Sequence, residues 1–160
     1  MASKKDNKKQ DTEQKQNAQA FEINMQYVKD LSFESPNAPF ILAANKQPKV
    51  DLTVNINVNK INENAYEVVL HITAKAVSED TPVFMADVMY AGLFNIPDID
   101  DEQRNLMLFV FCPNLLFPFA RRIIADATRD GGFPPLMINP IDFMALYKQK
   151  QEAGESPKPN

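Results

Sequence analysis

The segment VDLTVNINVN, residues 50–59, decides the fold class because its apolar and polar side chains alternate without interruption. Valine, leucine or isoleucine occupies every second position, and aspartate, threonine or asparagine occupies the positions between them. A two-residue period is typical of a β-strand that has one face covered and the other in solvent. The segment therefore predicts a half-exposed strand.

Three further strands are predicted around this one. One runs from Phe21 to about Glu34 and ends before two prolines, another from Tyr66 to about Val77, and the last over residues 83–94. Short turns join the later strands, so these neighbours are predicted to be antiparallel. The last strand is apolar on both faces, which is typical of a strand that is covered on both sides. We expect one of these faces to lie at a subunit interface.

The second half of the chain predicts helices, and its prolines predict a break. Acidic residues at 98–102 suit the start of a helix, and apolar residues recur at helical spacing over 116–127. We expect Pro113 and Pro118 to break or kink this region. Asn139-Pro140 predicts the start of a last helix. Four strands followed by helices predict an α+β fold with a four-stranded antiparallel sheet.

The distribution of charge divides the chain into three parts. Residues 1–20 contain five lysines, three acids and no aromatic residue, which predicts a disordered polar tail without the apolar core of a secretory signal. Residues 21–147 form the predicted domain, whose 16 acids and 9 bases give a net charge of −7, and residues 148–160 form a predicted flexible polar tail. The acidic domain favours a basic protein partner over a specific nucleic acid.

Apolar runs and cysteine content bear on the location of the protein. The most apolar stretch, LMLFVFCPNLLFPFA at residues 106–120, is shorter than the roughly 20 residues that a membrane span needs. We therefore expect no membrane-spanning segment. The single cysteine, Cys112, excludes an intrachain disulfide and fits a reducing compartment, so a cytoplasmic location is expected.

The sequence contains few residues in patterns that are typical of catalytic sites. His71 is the single histidine, and its neighbours in the pattern include no nucleophile with an orienting acid, so it is interpreted as a plain strand or interface residue. Cys112 precedes a proline in an apolar run and is interpreted as a packed thiol. The acids at 98–102 lack the spacing of a calcium loop, and the four glycines form no phosphate-binding loop. We expect no enzyme activity, no metal and no cofactor.

Two features point beyond a plain core. Bulky apolar residues occupy the connection at 40–42 and the region 133–143, and apolar surface of this kind usually marks a groove or a subunit contact. Asp30 and Glu34 lie four residues apart on one predicted strand face, and Asp87 is a lone charge on an apolar strand. These acids predict a charged binding surface.

Five motifs run in order across the region from 21 to about 150: DLSFESPNAP at 30–39, AYEVVL at 65–70, CPNLLFPFAR at 112–121, GFPPL at 132–136 and PIDFMALY at 140–147. Together they resemble the motifs of the SecB protein-export chaperones. The resemblance implies an α+β chain that assembles as a dimer of dimers. It also implies a holding chaperone that needs no ATP, keeps unfolded precursor proteins translocation-competent and delivers them to the SecA motor ATPase.

The resemblance further implies three sets of site residues. The SecA-docking surface would consist of Asp30, Glu34, Met85 and Asp87. The groove for client proteins would be formed by Phe40, Leu42, Met137, Phe143 and Tyr147. The tetramer interface would be formed by Ala86, Val88, Tyr90, Leu116, Phe119 and Ile123. Lys46 departs from the family, which often has tryptophan at this position, so the groove edge is expected to be less aromatic.

Two alternatives to general protein export remain open at this point. One is an oligomeric carrier for a small apolar ligand, which would use an apolar groove but would not need the acidic residues Asp30, Glu34 and Asp87. The other is a SecB-like chaperone dedicated to a toxin–antitoxin system. The acidic residues favour general export over both alternatives.

Overall fold

A computed structural model describes residues 20–44 and 46–160 of the chain. Apart from residue 20, the predicted tail at 1–20 lies outside the described residues. The elements follow one another as β1 (Glu22–Glu34), α1 (Phe40–Ala43), β2 (Lys49–Lys60), β3 (Ala65–Ser78), β4 (Thr81–Asn95), α2 (Asp101–Asp130) and α3 (Phe143–Glu152). The α+β class is confirmed.

The four strands form one antiparallel sheet in the order β1-β4-β3-β2. The last three strands are joined by tight turns, as the sequence predicts. The connection at 35–48 instead carries the chain from β1, at one edge, to β2 at the other. Both edge strands therefore have one side free of sheet hydrogen bonds from the other three strands.

Helix α2 runs through both prolines, so the predicted break is wrong. The carboxylate of Asp100 accepts a hydrogen bond from the amide of Gln103 (2.8 Å) and caps the start. A π-helical segment, Met107–Phe111, comes just before Pro113. In this wider turn the side-chain amide of Asn114 donates to the carbonyl of Val110 (3.0 Å). The wide turn and this side-chain bond let the helix continue where proline removes a backbone donor.

Helix α2 covers one face of the sheet and forms the core with it. Leu70, Ile72 and Val88 on that face are fully buried, as are Leu116 and Ile124 on the helix. The burial of so much apolar surface is the main favourable contribution to folding of the chain.

This packing corrects the predicted tetramer interface. Five of the six predicted residues lie in the core of the single chain, because α2 is long enough to cover the apolar face of β4 by itself: Ala86, Val88, Tyr90, Leu116 and Ile123. Phe119 alone among the six is exposed, although its ring stacks on Tyr90 with centroids 5.7 Å apart. Helix α2 thus covers one apolar face of β4, and the other face, which includes Met85 and Met89, stays half-buried.

By length and apolar composition alone, the 30-residue helix Asp101–Asp130 could cross a membrane. The prediction against a span rested on a shorter run and on a proline break that the structure does not have. However, core helices pass the same test, and α2 packs on the sheet with 44% of its most apolar window buried.

The end of the chain is more ordered than the predicted tail at 148–160. Helix α3 continues to Glu152, so five of these residues are helical. Further on, the backbone amide of Asn160 donates to the carbonyl of Val58 (2.8 Å), and its carbonyl accepts from the amide of Lys60 (2.9 Å). The last residue therefore pairs with the free edge of β2.

On the face that α2 leaves open, a polar cluster links both edge strands to the centre of the sheet. Glu67 of β3 accepts hydrogen bonds from Tyr27 (2.5 Å) and Lys29 (2.8 and 2.9 Å) of β1, and from Asn59 (2.9 Å) of β2. Partial burial alone would raise the pKa of Glu67, but these donors outweigh it and hold the pKa at about 2. Burial and the neighbouring carboxylate raise the pKa of Tyr27 to about 12.

We predict that Glu67→Gln lowers the free energy of unfolding at pH 7 by about 1–3 kcal/mol, because charge-assisted hydrogen bonds are lost in a half-buried cluster. The pKa of Glu67 is lower in the folded chain than its ordinary value of 4.5. Its stabilising contribution is therefore complete above about pH 4.5 and is lost as the pH falls toward 2. Urea unfolding of the wild type and of Glu67→Gln at pH 7 and pH 3, at one fixed protein concentration, measures the difference between their unfolding free energies.

Glu63→Gln is the matched control, since Glu63 is exposed in the turn between β2 and β3. It is expected to change the unfolding free energy at pH 7 by less than about 0.5 kcal/mol. A Glu67→Gln chain as stable as the wild type at pH 7 would contradict the role assigned to this cluster.

Candidate functional sites: an apolar groove and an acidic sheet face

An apolar groove of about 550 Å³ lies at one end of the helix-covered face. It is formed by the connection after β1, by the start of β2, the end of β3 and the start of β4, and by the loop after α2. Its lining consists of Ile41, Leu42, Ala44, Lys46, Gln47, Pro48, Val50, Ser78, Val83, Phe84, Gly132, Phe133, Pro134, Pro135 and Leu136. Three of these residues are prolines, which have no backbone N–H, so the walls present mainly apolar surface.

The rings of Phe33, Phe84 and Phe133 pack together at this end of the sheet. Their centroids are 5.1 Å apart for Phe84 and Phe133, 5.9 Å for Phe33 and Phe84, and 6.3 Å for Phe33 and Phe133. These separations are typical of aromatic pairs that stabilise each other beyond simple burial. Two rings of this cluster, those of Phe84 and Phe133, line the groove.

Hydrogen bonds fix the wall that follows α2. The hydroxyl of the buried Thr128 accepts from the amide of Leu136 (2.9 Å), and the carbonyl of Thr128 accepts from the amide of Phe133 (3.1 Å). Gly132 has a φ of +88°, and a side chain there would stand 3.2 Å from Leu42. A glycine is therefore needed where this loop turns close to the opposite wall.

Two side chains fix the wall that follows β1. The hydroxyl of Ser35 donates to the carbonyl of Val83 (3.1 Å), and the side-chain amide of Asn37 donates to the carbonyl of Pro82 (2.8 Å). The connection is thereby attached to the start of β4, next to the groove. Serine and asparagine are well suited to such bonds in turns.

The structure brings only part of the predicted client groove together. Leu42 lines the groove, whereas Phe40 is 84% exposed and is not among the lining residues. Met137 is exposed and directly follows the lining residue Leu136. Phe143 and Tyr147 lie in the core and not in the groove, which corrects their prediction.

Phe143 and Tyr147 belong to the core because α3 packs against the first half of α2. The ring of Phe143 meets Phe117 at 6.1 Å, and that of Tyr147 meets Phe109 at 6.3 Å. The loop at 132–136, rather than α3, forms the second wall of the groove. Its GFPPL motif and the bulky Phe133 were the available signals in the sequence.

The polar edge of the groove carries the departure predicted at Lys46. Lys46 lines the groove, and its Nζ lies 2.5 Å from Oε2 of Glu79. Both side chains are more than half exposed, so this ion pair contributes little to stability. It nevertheless places charges at an edge where the resemblance implies an aromatic ring.

The four predicted SecA-docking residues lie together on the open face of the sheet. In the pairing of β1 with β4, Glu34 stands opposite Met85 and Ser32 stands opposite Asp87. Asp30 pairs with the neighbouring Met89, one same-face step along β4. Asp30 and Glu34 are exposed, and Met85 and Asp87 are half-buried.

Asp87 is held by two residues of the neighbouring strand β3. Its carboxylate accepts from Thr73 Oγ1 (2.5 Å) and from His71 Nε2, which lies 2.9 Å from Oδ1 and 3.1 Å from Oδ2. Partial burial would raise the pKa of Asp87, but these donors outweigh it and lower that pKa below its ordinary value. The residue is therefore a carboxylate, fixed in the middle of the open face.

Reactive groups and metal ligands are sparse in the described part of the chain. No group of three or more His, Cys, Asp or Glu side chains is placed to hold a metal ion within residues 20–44 and 46–160. Cys112 is buried, and burial raises the pKa of its thiol well above the ordinary value, which makes it a poor nucleophile. What the arrangement offers is surface for binding.

Comparisons with known proteins agree with this arrangement. The family model described as "Preprotein translocase subunit SecB" matches residues 13–154. A protein-export protein SecB of Rhodopseudomonas palustris (strain BisB5) is 50% identical over 79% of this chain and 81% of its own length. That of Parvibaculum lavamentivorans is 45% identical over 91% and 90%, and that of Rickettsia felis is 50% identical over 84% and 90%.

A solved structure shares the fold. It is a SecB-like chaperone of Mycobacterium tuberculosis in complex with a ChAD peptide from an antitoxin, and it covers 82% of this chain and 98% of its own. The TM-score is 0.64 at 19% identity, so this likeness concerns the fold alone. From the family match and these relatives we conclude that the chain belongs to the SecB family of protein-export chaperones.

Proposed function

We propose that this protein is a holding chaperone that binds unfolded precursor proteins in its apolar groove, without ATP, and delivers them to the SecA motor. The single observation that carries the proposal is the groove between the connection after β1 and the loop after α2. We further propose a cytoplasmic location, where precursors can be met before export.

The groove suits an extended, unfolded chain. Its volume of about 550 Å³ has room for a few apolar side chains rather than for a folded partner. Burial of apolar surface is non-directional, so such a site binds many sequences that share only hydrophobicity. This breadth is what a chaperone for varied precursors needs.

The alternatives are less well supported. A carrier for a small apolar ligand could use the same groove, but relatives that are 45–50% identical are export proteins. The peptide from an antitoxin belongs to a structural neighbour at 19% identity, which supports the shared fold and not a shared role.

We predict that Leu42→Glu weakens client holding about tenfold or more, because it places a charge in an apolar wall and removes buried surface. The assay adds the chaperone to a refolding precursor without ATP and follows aggregation by light scattering. Phe40→Glu is the matched control, since Phe40 lies in the same helical turn but outside the groove lining.

The wild type is expected to suppress aggregation at one equivalent, and Phe40→Glu is expected to act within about twofold of it. Loss of holding in Phe40→Glu but not in Leu42→Glu would contradict this location of the groove. Failure of the wild type to suppress aggregation would contradict the chaperone proposal itself.

We propose that SecA docks on the open face at Asp30, Glu34, Met85 and Asp87. Two exposed acids on β1 and a fixed carboxylate on β4 give this patch a negative potential, and Met85 adds apolar surface among them. A patch of this kind attracts a basic partner and raises its association rate. It lies on the opposite side of the sheet from the face on which the groove opens.

We predict that Asp30→Lys with Glu34→Lys lowers SecA affinity at least tenfold and flattens its dependence on salt, because the attraction becomes repulsion. Client holding is expected to be unaffected. Glu63→Lys with Glu102→Lys makes the same change in net charge at exposed sites elsewhere and is the matched control. Calorimetric affinities equal to the wild type in both double variants would contradict the docking surface.

We also propose that the protein is a homotetramer, a dimer of dimers. The edge strand β1 carries the exposed apolar residues Val28 and Leu31 on its helix-covered face. Helix α2 exposes Phe111 and Phe119. Exposed apolar groups beside an unpaired strand edge favour association with another subunit. Val28 stands opposite Tyr90, on which Phe119 stacks, so β1 and α2 present this apolar surface side by side.

We predict that Leu31→Asp yields a folded chain with a smaller assembled mass, whereas Val88→Asp unfolds the chain itself. The two residues are opposite each other on β1 and β4, but Leu31 is 46% exposed and Val88 is 0% exposed. A charge at Val88 would be buried without a partner. Light scattering and circular dichroism decide between the outcomes, and a four-chain mass for Leu31→Asp would contradict the interface at β1.

A further inference from the structure

The open face contains an imidazole that is paired with a carboxylate of the docking surface. His71 is the single histidine in the 160 residues, and it lies on β3 beside the docking surface. Its imidazole contacts both carboxylate oxygens of Asp87, at 2.9 and 3.1 Å. The two side chains are 22% and 20% exposed, so a change of charge here is only partly screened by water.

The geometry determines where the proton must be. His71 Nε2 faces both carboxylate oxygens of Asp87 and, at 3.4 Å, the hydroxyl of Thr73. A carboxylate can only accept hydrogen bonds, so Nε2 carries a hydrogen in either charge state. A proton gained at lower pH therefore adds to Nδ1. Because Thr73 also donates to Asp87, the carboxylate stays in place while the charge beside it changes.

The charged groups around this pair are mainly acidic. On β1, Asp30 stands opposite Met89, which in turn stands opposite His71, and Glu34 lies further along the same face. On β3, Thr73 separates His71 from Lys75, and Glu67 lies beyond Val69 in the other direction. On β2, Asn55 stands opposite His71, and Asp51 stands opposite Lys75.

We propose that His71 sets the charge of the SecA-docking surface, so that a basic partner docks more weakly when the imidazole is protonated. With a neutral imidazole, Asp87 contributes a full negative charge to the patch. With a protonated imidazole, the pair is neutral as a whole, and the attraction rests on Asp30 and Glu34. His71 is thus a positioning residue for Asp87, and this inference rests on the proposed docking function.

A pH-inert probe isolates this effect from titration in the partner. We would use a peptide of arginine and glycine residues alone, with its N-terminus acetylated so that no α-amino group titrates, and measure its affinity for the full chain at pH 8 and pH 6. Histidine is the side chain whose charge changes between these values. The affinity of the wild type is expected to fall about two- to fivefold, the range set by one partly exposed charge.

His71→Gln is the decisive variant because an amide can still donate to Asp87 but cannot gain charge. Its ratio of affinities at pH 8 and pH 6 is expected to be close to one. A second readout is the imidazole signal in NMR, which is unambiguous in a chain with one histidine. Saturating peptide should shift the midpoint of that titration to lower pH, because coupling between two binding events is reciprocal.

The outcomes separate this inference from the proposed function. An equal fall in affinity for the wild type and His71→Gln would overturn the inference, and so would a titration that the peptide leaves unmoved. If Asp30→Lys with Glu34→Lys still abolishes binding at pH 8 in that case, the docking surface itself stands. Absence of wild-type binding to both the peptide and SecA at pH 8 would overturn both.

Discussion

The packing of α2 across one face of the sheet is the constraint on which the rest of the structure depends. It buries the apolar sides of β3 and β4 within a single chain, so that Val88 and Leu116 are core residues and not contact surface. The helix remains continuous through Pro113 because a π-helical segment precedes that residue. Without this continuity, the apolar face of β4 that α2 covers would need another chain to cover it.

The same packing separates the two binding surfaces. The helix ends at Asp130, and the chain that follows turns back at Gly132 to form one wall of the groove. The opposite side of the sheet has no such cover, and polar clusters around Glu67 and Asp87 stabilise it instead. One face thus provides apolar surface for an unfolded chain, while the other provides fixed charges for a basic partner.

Local patterns in the sequence predicted much of this arrangement, and non-local packing explains the rest. Strict alternation at 50–59 identified β2, and the same-face spacing of Asp30 and Glu34 placed both acids on the open face. Apolar spacing does not say what covers a residue, so Val88 was assigned to a subunit interface and Phe143 to the groove. The donors around Glu67 come from β2, the neighbour of β3, and from β1, which lies beyond β4, so only folding brings them together.

Client and motor are proposed to bind on different sides of one sheet. Hydrogen–deuterium exchange of the full chain, measured with an unfolded precursor, with SecA and with both, is the sharpest test of this separation. We expect the precursor to protect residues 41–48 and 132–136 and SecA to protect 30–34 and 85–87, and we expect the two patterns to add when both are present. A common protected region, or displacement of one partner by the other, would contradict it.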